Sequence, residues 1–180
     1  MRRRAAIRNL VIISAGAAVL PSCMESVKPG PVYKNLTITA SQFGLLESLV
    51  EVIIPSTPNF PGARALKSHE FVLTMMNDCA KPEDRQTFVS GLKLFEDYCK
   101  TTWNKDFAEA TNEQRSELIK SLEAAKDAED DRTRFYRTVK RYTIQSFTTS
   151  RDFLVNVRKF TLVPGSNYKG CVKIGAALNT

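Results

Sequence analysis

Histidine is almost absent from this 180-residue chain, in which His69 is the only one. A histidine-based metal centre, a Ser-His-Asp triad or a Cys-His pair would each have to be built on that single side chain. His69 also lies beside a predicted helix start, where a polar residue commonly caps the helix or occupies its first turn. The sequence therefore predicts no catalytic and no metal-binding residues.

The motifs that hold redox cofactors and nucleotides are absent as well. The chain has no C-x-x-C-H haem-attachment motif, no G-x-G-x-x-G dinucleotide fingerprint and no G-x-x-x-x-G-K phosphate loop. Its length is also about half of what a dinucleotide domain together with a substrate domain needs. We therefore expect no cofactor-binding residues in this chain, and any redox cofactor to be held by another chain.

Long hydrophobic runs are missing too. The uncharged run over residues 9–20 is shorter than the about 20 residues that cross a bilayer, so a permanent membrane helix is the weaker interpretation. Arginines precede this run and small residues follow it, which predicts an export signal over residues 1–22. Arg3 and Arg4 resemble the pair of a twin-arginine motif, whose export route carries proteins that are already folded.

The residues at the end of this signal, Leu-Pro-Ser-Cys, finish at Cys23 and resemble a bacterial lipobox, whose cysteine is acylated. Two or three acyl chains anchor a protein stably, whereas one chain gives marginal binding. The alternative is an ordinary signal whose cleavage site lies near a cysteine. We expect an exported lipoprotein of a bacterial cell envelope, anchored to a membrane on the periplasmic side through Cys23.

The excess of positive charge belongs mostly to the signal. The chain has 26 Lys and Arg against 19 Asp and Glu, a formal net charge of +7. Four arginines and no acid lie within residues 1–22, so the remainder carries 22 basic and 19 acidic residues. A net charge of +3 is a weak electrostatic footprint for binding phosphate backbones. We therefore expect no nucleic-acid partner.

The rest of the chain predicts a tether and one helical domain. Residues 23–38 contain Pro-Gly-Pro and no hydrophobic periodicity, so they indicate an extended tether. From residue 39 onward, apolar residues recur every three or four positions, and no stretch alternates with period two. We predict an all-α, single compact domain of about five or six helices over residues 39–180, with an extended C-terminal tail.

Local signals mark where the helices begin and end. Thr39 and Thr111 each begin a capping-box pattern, in which the threonine oxygen accepts an early backbone N–H and a glutamine reaches back. Three prolines prevent residues 55–62, the proline loop, from forming a helix or a central strand, which predicts a rigid loop. The other helices are predicted over residues 68–77, from Pro82 onward and over residues 131–148.

Three cysteines remain once Cys23 is assigned to the lipid. Cys79 and Cys99 lie near opposite ends of the predicted third helix, about 24 Å apart, whereas a disulfide joins Cα atoms roughly 6 Å apart. A disulfide formed in an oxidising envelope should therefore include Cys171, with Cys79 as the preferred partner. Three unpaired thiols are the alternative.

The densest cluster of charge lies in the last predicted helix. Arg134, Arg137 and Arg141 share one face there, which can bind phosphate or an acidic partner. Such a run of charged residues more commonly forms a solvated helix face that binds no ligand.

Three segments follow one another in a distinctive order. They are residues 52–63, VIIPSTPNFPGA; residues 70–79, within the second helix; and residues 142–150, followed by 163–172, VPGSNYKGCV. This order resembles the gluconate 2-dehydrogenase subunit 3 family, the small subunit of membrane-associated sugar and sugar-acid dehydrogenases. The resemblance extends over residues 39–174. At residues 146–151, SFTTSR, the chain lacks a glycine and an acid that the family often has.

The resemblance implies a non-catalytic subunit rather than an enzyme. Its partner would be a flavoprotein large subunit of the glucose-methanol-choline oxidoreductase family, which holds FAD and has no export signal of its own. The small subunit would bind and stabilise that flavoprotein and lend its signal to the folded complex. A cytochrome c subunit is a further candidate partner. The alternative is a free-standing envelope lipoprotein that acts as a binding or scaffold module without a redox partner.

We expect the partner to contact the proline loop and the C-terminal segment. The candidate contact residues are Phe60, Pro61, Phe147 and Tyr168, because rigid aromatic side chains dominate protein contacts and loops on a helical scaffold commonly carry binding. For Phe147, burial in the core of this chain is the alternative.

Overall fold

The computed structural model describes residues 30–125 and 130–160. Within these residues the chain forms five α-helices joined by short 3-10 and π-helical turns, and no β-strand, so the predicted all-α fold is confirmed. The predicted signal with Arg3 and Arg4, the lipidation residue Cys23, and the tail residues Tyr168 and Cys171 lie outside the described residues. None of the helices in the described part is long and apolar enough to span a membrane.

The α-helices have these bounds: α1 Ala40–Ile53, α2 Ser68–Thr74, α3 Pro82–Trp103, α4 Asn112–Ala124 and α5 Asp131–Thr148. A π-helical turn, Met75–Cys79, extends α2; a 3-10 turn, Phe107–Glu109, precedes α4; and a second π-helical turn, Phe153–Val157, follows α5. The last helix has its predicted bounds, whereas the second continues two residues beyond its predicted end as a π-helical turn.

Side-chain caps fix the helix starts. At α1, Thr39 Oγ1 accepts the Gln42 N–H at 3.2 Å, and Gln42 Oε1 accepts the Thr39 N–H at 3.1 Å. Thr111 begins α4 with the same reciprocal pair of bonds, so both predicted capping boxes are confirmed. At α5, Asp130 accepts the Thr133 backbone N–H at 2.9 Å, and this bond holds the pKa of Asp130 below its usual value.

The centre of the domain is the crossing of α3 and α5, where three phenylalanines pack together. Phe135 on α5 contacts Phe88 and Phe95 on α3, with ring centroids 5.1 and 5.7 Å apart, and all three side chains are buried. Gly91 lies at this crossing. A Cβ added there would come within 2.6 Å of the Phe135 Cβ and would also meet the Asp131 backbone. The helices can therefore approach this closely only because residue 91 has no side chain.

Helix α2 lies antiparallel along α5. Ser68, at the start of α2, bonds to Ser146 near the end of α5 at 3.0 Å, and Phe71 contacts Tyr142 one turn earlier in α5. This arrangement brings the chain that leaves the proline loop onto the C-terminal end of α5.

Residues 35–38, at the end of the predicted tether, contact the helical domain. Leu36 and Ile38 are only 5% and 4% exposed and belong to the hydrophobic core. Asn35 binds Asn77 twice, through its backbone N–H at 2.8 Å and its side-chain amide at 2.9 Å. Two apolar residues are too few to produce a periodic pattern, so the sequence does not indicate that this segment packs on the domain.

Candidate partner interface

The proline loop is held in one shape by its own hydrogen bonds. Thr57 and Phe60 exchange backbone bonds, with N–H to O distances of 3.0 and 3.2 Å. The Ser56 N–H donates to Glu51 Oε1 at 3.0 Å, and the Gly62 N–H donates to Ser56 Oγ at 3.1 Å. The proline loop is therefore neither a helix nor a strand, as predicted, and hydrogen bonds within the chain restrict its shape.

The end of the loop lies tightly against its start. A Cβ added at Gly62 would come within 2.7 Å of the Pro55 carbonyl carbon, and the Ala63 N–H donates to the Ile54 carbonyl at 2.9 Å. Phe60 and Pro61, which immediately precede this closure, are both half-buried.

Three half-buried phenylalanines form an aromatic surface at the C-terminal end of α5. The Phe60 ring lies 5.2 Å from the Phe147 ring, which lies 5.5 Å from the Phe153 ring. We call Phe60, Pro61, Phe147 and Phe153 the aromatic surface. The structure thus brings together three of the four predicted contact residues, Phe60, Pro61 and Phe147, while Tyr168 lies outside the described residues.

Exposed apolar side chains are concentrated in the same part of the chain. In the described ranges, six large hydrophobic residues are exposed, and four of them lie between residues 144 and 160: Ile144, Val155, Val157 and Phe160. The Phe160 N–H donates to the Leu154 carbonyl at 2.9 Å, which folds the last described residues back onto the π-helical turn. A concentration of exposed apolar side chains commonly marks a protein-binding site.

Sequence reasoning did not single out residues 153–160. A signal was present, because the apolar run Phe-Leu-Val-Asn-Val follows directly after the last helix. The run has no helical or strand periodicity that would assign one face to the core. Only the structure shows that Phe153 of this run contacts Phe147.

The reactive side chains of the described residues are mostly buried. His69 lies in the first turn of α2, as predicted, but it is 4% exposed and packs edge-on against Phe43 with ring centroids 4.9 Å apart. Burial lowers the pKa of His69, which favours the neutral imidazole. Burial also raises the pKa of the Cys99 thiol to about 12, which keeps it protonated and unreactive.

Cys79, in contrast, is exposed, and neither it nor Cys99 forms a disulfide within the described residues. The predicted partner of Cys79, Cys171, lies outside them. In the part of the chain that the structure describes, no three His, Cys, Asp or Glu side chains are close enough to share a metal ion.

A small helical domain that has a rigid aromatic loop and a concentrated set of exposed apolar residues is typical of a protein that works by binding another protein. The family model described as gluconate 2-dehydrogenase subunit 3 matches residues 40–165, so the chain belongs to the gluconate 2-dehydrogenase subunit 3 family. The match includes all five helices and the aromatic surface. This is a family of dehydrogenase accessory subunits. No match was found among curated proteins or among solved structures.

Proposed function

We propose that this chain is the non-catalytic small subunit of a membrane-associated dehydrogenase, and that it binds and stabilises a flavoprotein large subunit of the glucose-methanol-choline oxidoreductase family. The observation that carries the proposal is the aromatic surface with its exposed neighbours, in a chain of the subunit 3 family. Covering these side chains with a partner removes apolar area from water, which stabilises the complex.

The cofactor of the complex belongs to the partner in this proposal. The large subunit holds FAD and oxidises gluconate or another sugar or alcohol, while a cytochrome c subunit is a candidate third member. The sequence supports placing the cofactor in the partner, because this chain has a single histidine and no dinucleotide or haem motif.

Export and anchoring form the second part of the proposal. Arg3 and Arg4 direct the folded complex through the twin-arginine route, and acylated Cys23 then holds it at the periplasmic side of a membrane. The segment after Cys23 reaches the core at Leu36, so a short tether separates lipid and domain. A subunit without its own signal would depend on this chain for export.

The tail contributes to the same interface in this proposal. Tyr168 adds a fourth rigid aromatic contact to the partner, and Cys171 forms a disulfide with Cys79. The exposure of Cys79 supports this pairing over one with Cys99, which is buried. In an oxidising envelope such a bridge fixes the tail to the end of α2.

Co-purification tests the proposed function. The chain is tagged at its C-terminus and isolated from envelope membranes in mild detergent, and bound flavin is quantified per chain. We expect about one FAD-containing large subunit per chain, and mass spectrometry to find acyl groups on Cys23 and a Cys79–Cys171 bridge. Isolation of the lipoprotein without a flavoprotein would overturn the proposal in favour of a free-standing binding or scaffold module.

A further inference from the structure

Three basic side chains flank the aromatic surface beyond the end of α5. Arg151 comes two residues before Phe153, and Arg158 and Lys159 directly precede Phe160. All three basic residues are exposed. We call Arg151, Arg158 and Lys159 the basic rim. Polar and charged residues commonly surround the apolar centre of a protein interface in this way.

The backbone groups the basic rim around one short turn. The Leu154 N–H donates to the Ser150 carbonyl at 2.9 Å, and the Phe160 N–H donates back to the Leu154 carbonyl at 2.9 Å. Lys159 has a positive φ of 51°, which reverses the chain at this point. The three cations therefore belong to a turn with defined hydrogen bonds, in the same segment as the Phe153 ring of the aromatic surface.

The basic rim has no counter-charge of its own in the part of the chain that the structure describes. None of its three side chains forms a salt bridge there, and Asp152 is the one acid between residues 144 and 160. The acids of α1 and α2 are already engaged: Glu47 with Arg64 at 3.0 Å, Glu51 with the Ser56 N–H at 3.0 Å and Glu70 with Lys67 at 3.2 Å.

The remaining segments of the chain do not supply the missing negative charge. Residues 161–180 contain two lysines and no acidic side chain, and residues 1–29 contain a single acid, Glu25. Asp127 and Glu129 adjoin the start of α5, whereas its last residue, Thr148, lies about 26 Å further along the helix axis. Charge complementarity therefore assigns the counter-charge of the basic rim to another molecule.

The position of the basic rim in the domain favours a protein over a membrane as that molecule. The Gly30 N–H donates to the Ile38 carbonyl at 3.1 Å, so the segment that follows the predicted lipid reaches the domain at the start of α1. The proline loop follows the end of α1, about 20 Å further along that helix. The aromatic surface and the basic rim beside it thus lie toward the opposite end of α1 from the lipid-bearing segment.

We propose that the basic rim binds a set of carboxylates on the flavoprotein large subunit, at the edge of an apolar patch that covers the aromatic surface. The apolar contacts stabilise the complex, and the carboxylates pair with Arg151, Arg158 and Lys159 and so orient the two subunits. This inference rests on the proposed function, since it describes the partner's side of the same interface.

Competition between two forms of the chain tests the inference. The wild type and a variant carry different C-terminal tags in the same cells, and FAD is quantified for each form after isolation from envelope membranes in mild detergent. We expect Arg151→Gln/Arg158→Gln/Lys159→Gln to hold at most about a third as much FAD per chain as the wild type beside it.

Two further variants separate the charge of the basic rim from other effects. Lys93→Gln/Lys105→Gln/Lys120→Gln removes the same charge from exposed positions elsewhere in the domain and should hold nearly as much FAD as the wild type. Arg151→Lys/Arg158→Lys keeps the charge of the basic rim and should hold at least about two-thirds of the wild-type amount.

Cross-linking of the wild-type complex gives a measurement that needs no variant. A carbodiimide joins a carboxylate to a nearby lysine amine, and mass spectrometry then identifies both residues. We expect the Lys159 amine to be joined to aspartate or glutamate side chains of the large subunit, and we expect no such cross-links from Lys93 or Lys120.

Each contrary result has a distinct meaning. Equal FAD in the rim variant and the wild type, or equal losses in the rim and control variants, would overturn the inference and leave the proposed function standing. Cross-links from Lys159 to carboxylates of this chain would assign the basic rim to the chain itself and overturn the inference. Rim-dependent binding to phosphatidylglycerol vesicles with unchanged FAD would overturn it in favour of a lipid surface. A wild-type chain isolated without FAD would overturn the inference and the proposed function together.

Discussion

Two sets of three phenylalanines in this protein have similar ring contacts but different access to water. Phe88, Phe95 and Phe135 pack with centroids 5.1 and 5.7 Å apart and are at most 2% exposed. The rings of the aromatic surface pack at 5.2 and 5.5 Å, yet each remains half-buried. Ring contact alone therefore does not define a core. Burial assigns the first set to stability, and incomplete burial leaves the second set available to a partner.

The largest expected effect is in the buried set. Phe135→Ala should lower the free energy of unfolding by about 3–5 kcal/mol, because it removes the ring that joins α3 to α5 and leaves a cavity. Urea unfolding followed by circular dichroism measures the change. Phe153→Ala is the matched control, and it should cost less than half as much, since part of its ring already contacts water. Equal losses would show that the two sets do not differ in role.

The next effect concerns the glycine at the same crossing. Gly91→Ala should lower the free energy of unfolding by about 1–3 kcal/mol, because the new methyl group meets the α5 backbone. Gly44→Ala is the control within α1, where nothing lies within 4 Å of the added Cβ. It should be neutral or stabilise by up to about 1 kcal/mol, since alanine favours a helix over glycine. Thermal unfolding of both variants checks the sign.

A smaller effect should depend on pH. Burial lowers the pKa of His69 below its ordinary value of 6.5, so the unfolded chain binds a proton before the folded chain does. Stability should therefore be complete above pH 6.5 and fall as the pH decreases below it, until the folded histidine is also protonated. Denaturant unfolding between pH 7 and pH 5 should show a weaker pH dependence in His69→Gln than in the wild type. The same slope in both proteins would exclude His69 as its source.

The smallest expected change in stability is at the exposed end of the molecule. Val157→Ser should alter the free energy of unfolding by no more than about 0.5 kcal/mol, because the side chain is 53% exposed and fills no cavity. Chemical denaturation measures this value. A loss of several kcal/mol would mean that the π-helical turn belongs to the core and is not available to a partner.

The features that the sequence predicted correctly depend on nearby residues. A capping box such as Thr39 with Gln42 spans four positions, and the periodic apolar residues of α3 and α5 lie within one helix. The contact between Phe60 and Phe147 joins residues 87 positions apart. The sequence therefore indicated each ring as a candidate contact residue but not that the two rings touch. The same limit applied to Arg134, Arg137 and Arg141, because their spacing predicted a charged face but not the cavity that they border together with Lys81.

Packing at the two ends of the described domain could not be predicted for a different reason. Leu36 and Ile38 are buried in the hydrophobic core, although the preceding Pro-Gly-Pro made the segment resemble a tether. Val155, Val157 and Phe160 are apolar, yet they are exposed beyond the end of α5. In both places, tertiary packing rather than local pattern decides which side chains meet water.

The most direct test of the account is the amount of flavin retained by an interface variant. The tagged Val155→Ser/Val157→Ser chain is isolated from envelope membranes beside Val32→Ser/Leu94→Ser, which replaces two exposed apolar residues away from the aromatic surface. We predict that the first variant retains less than about a tenth of the wild-type flavin per chain, whereas the second retains nearly all of it. Equal retention in the two variants would contradict the claim that the aromatic surface and its exposed neighbours bind the partner.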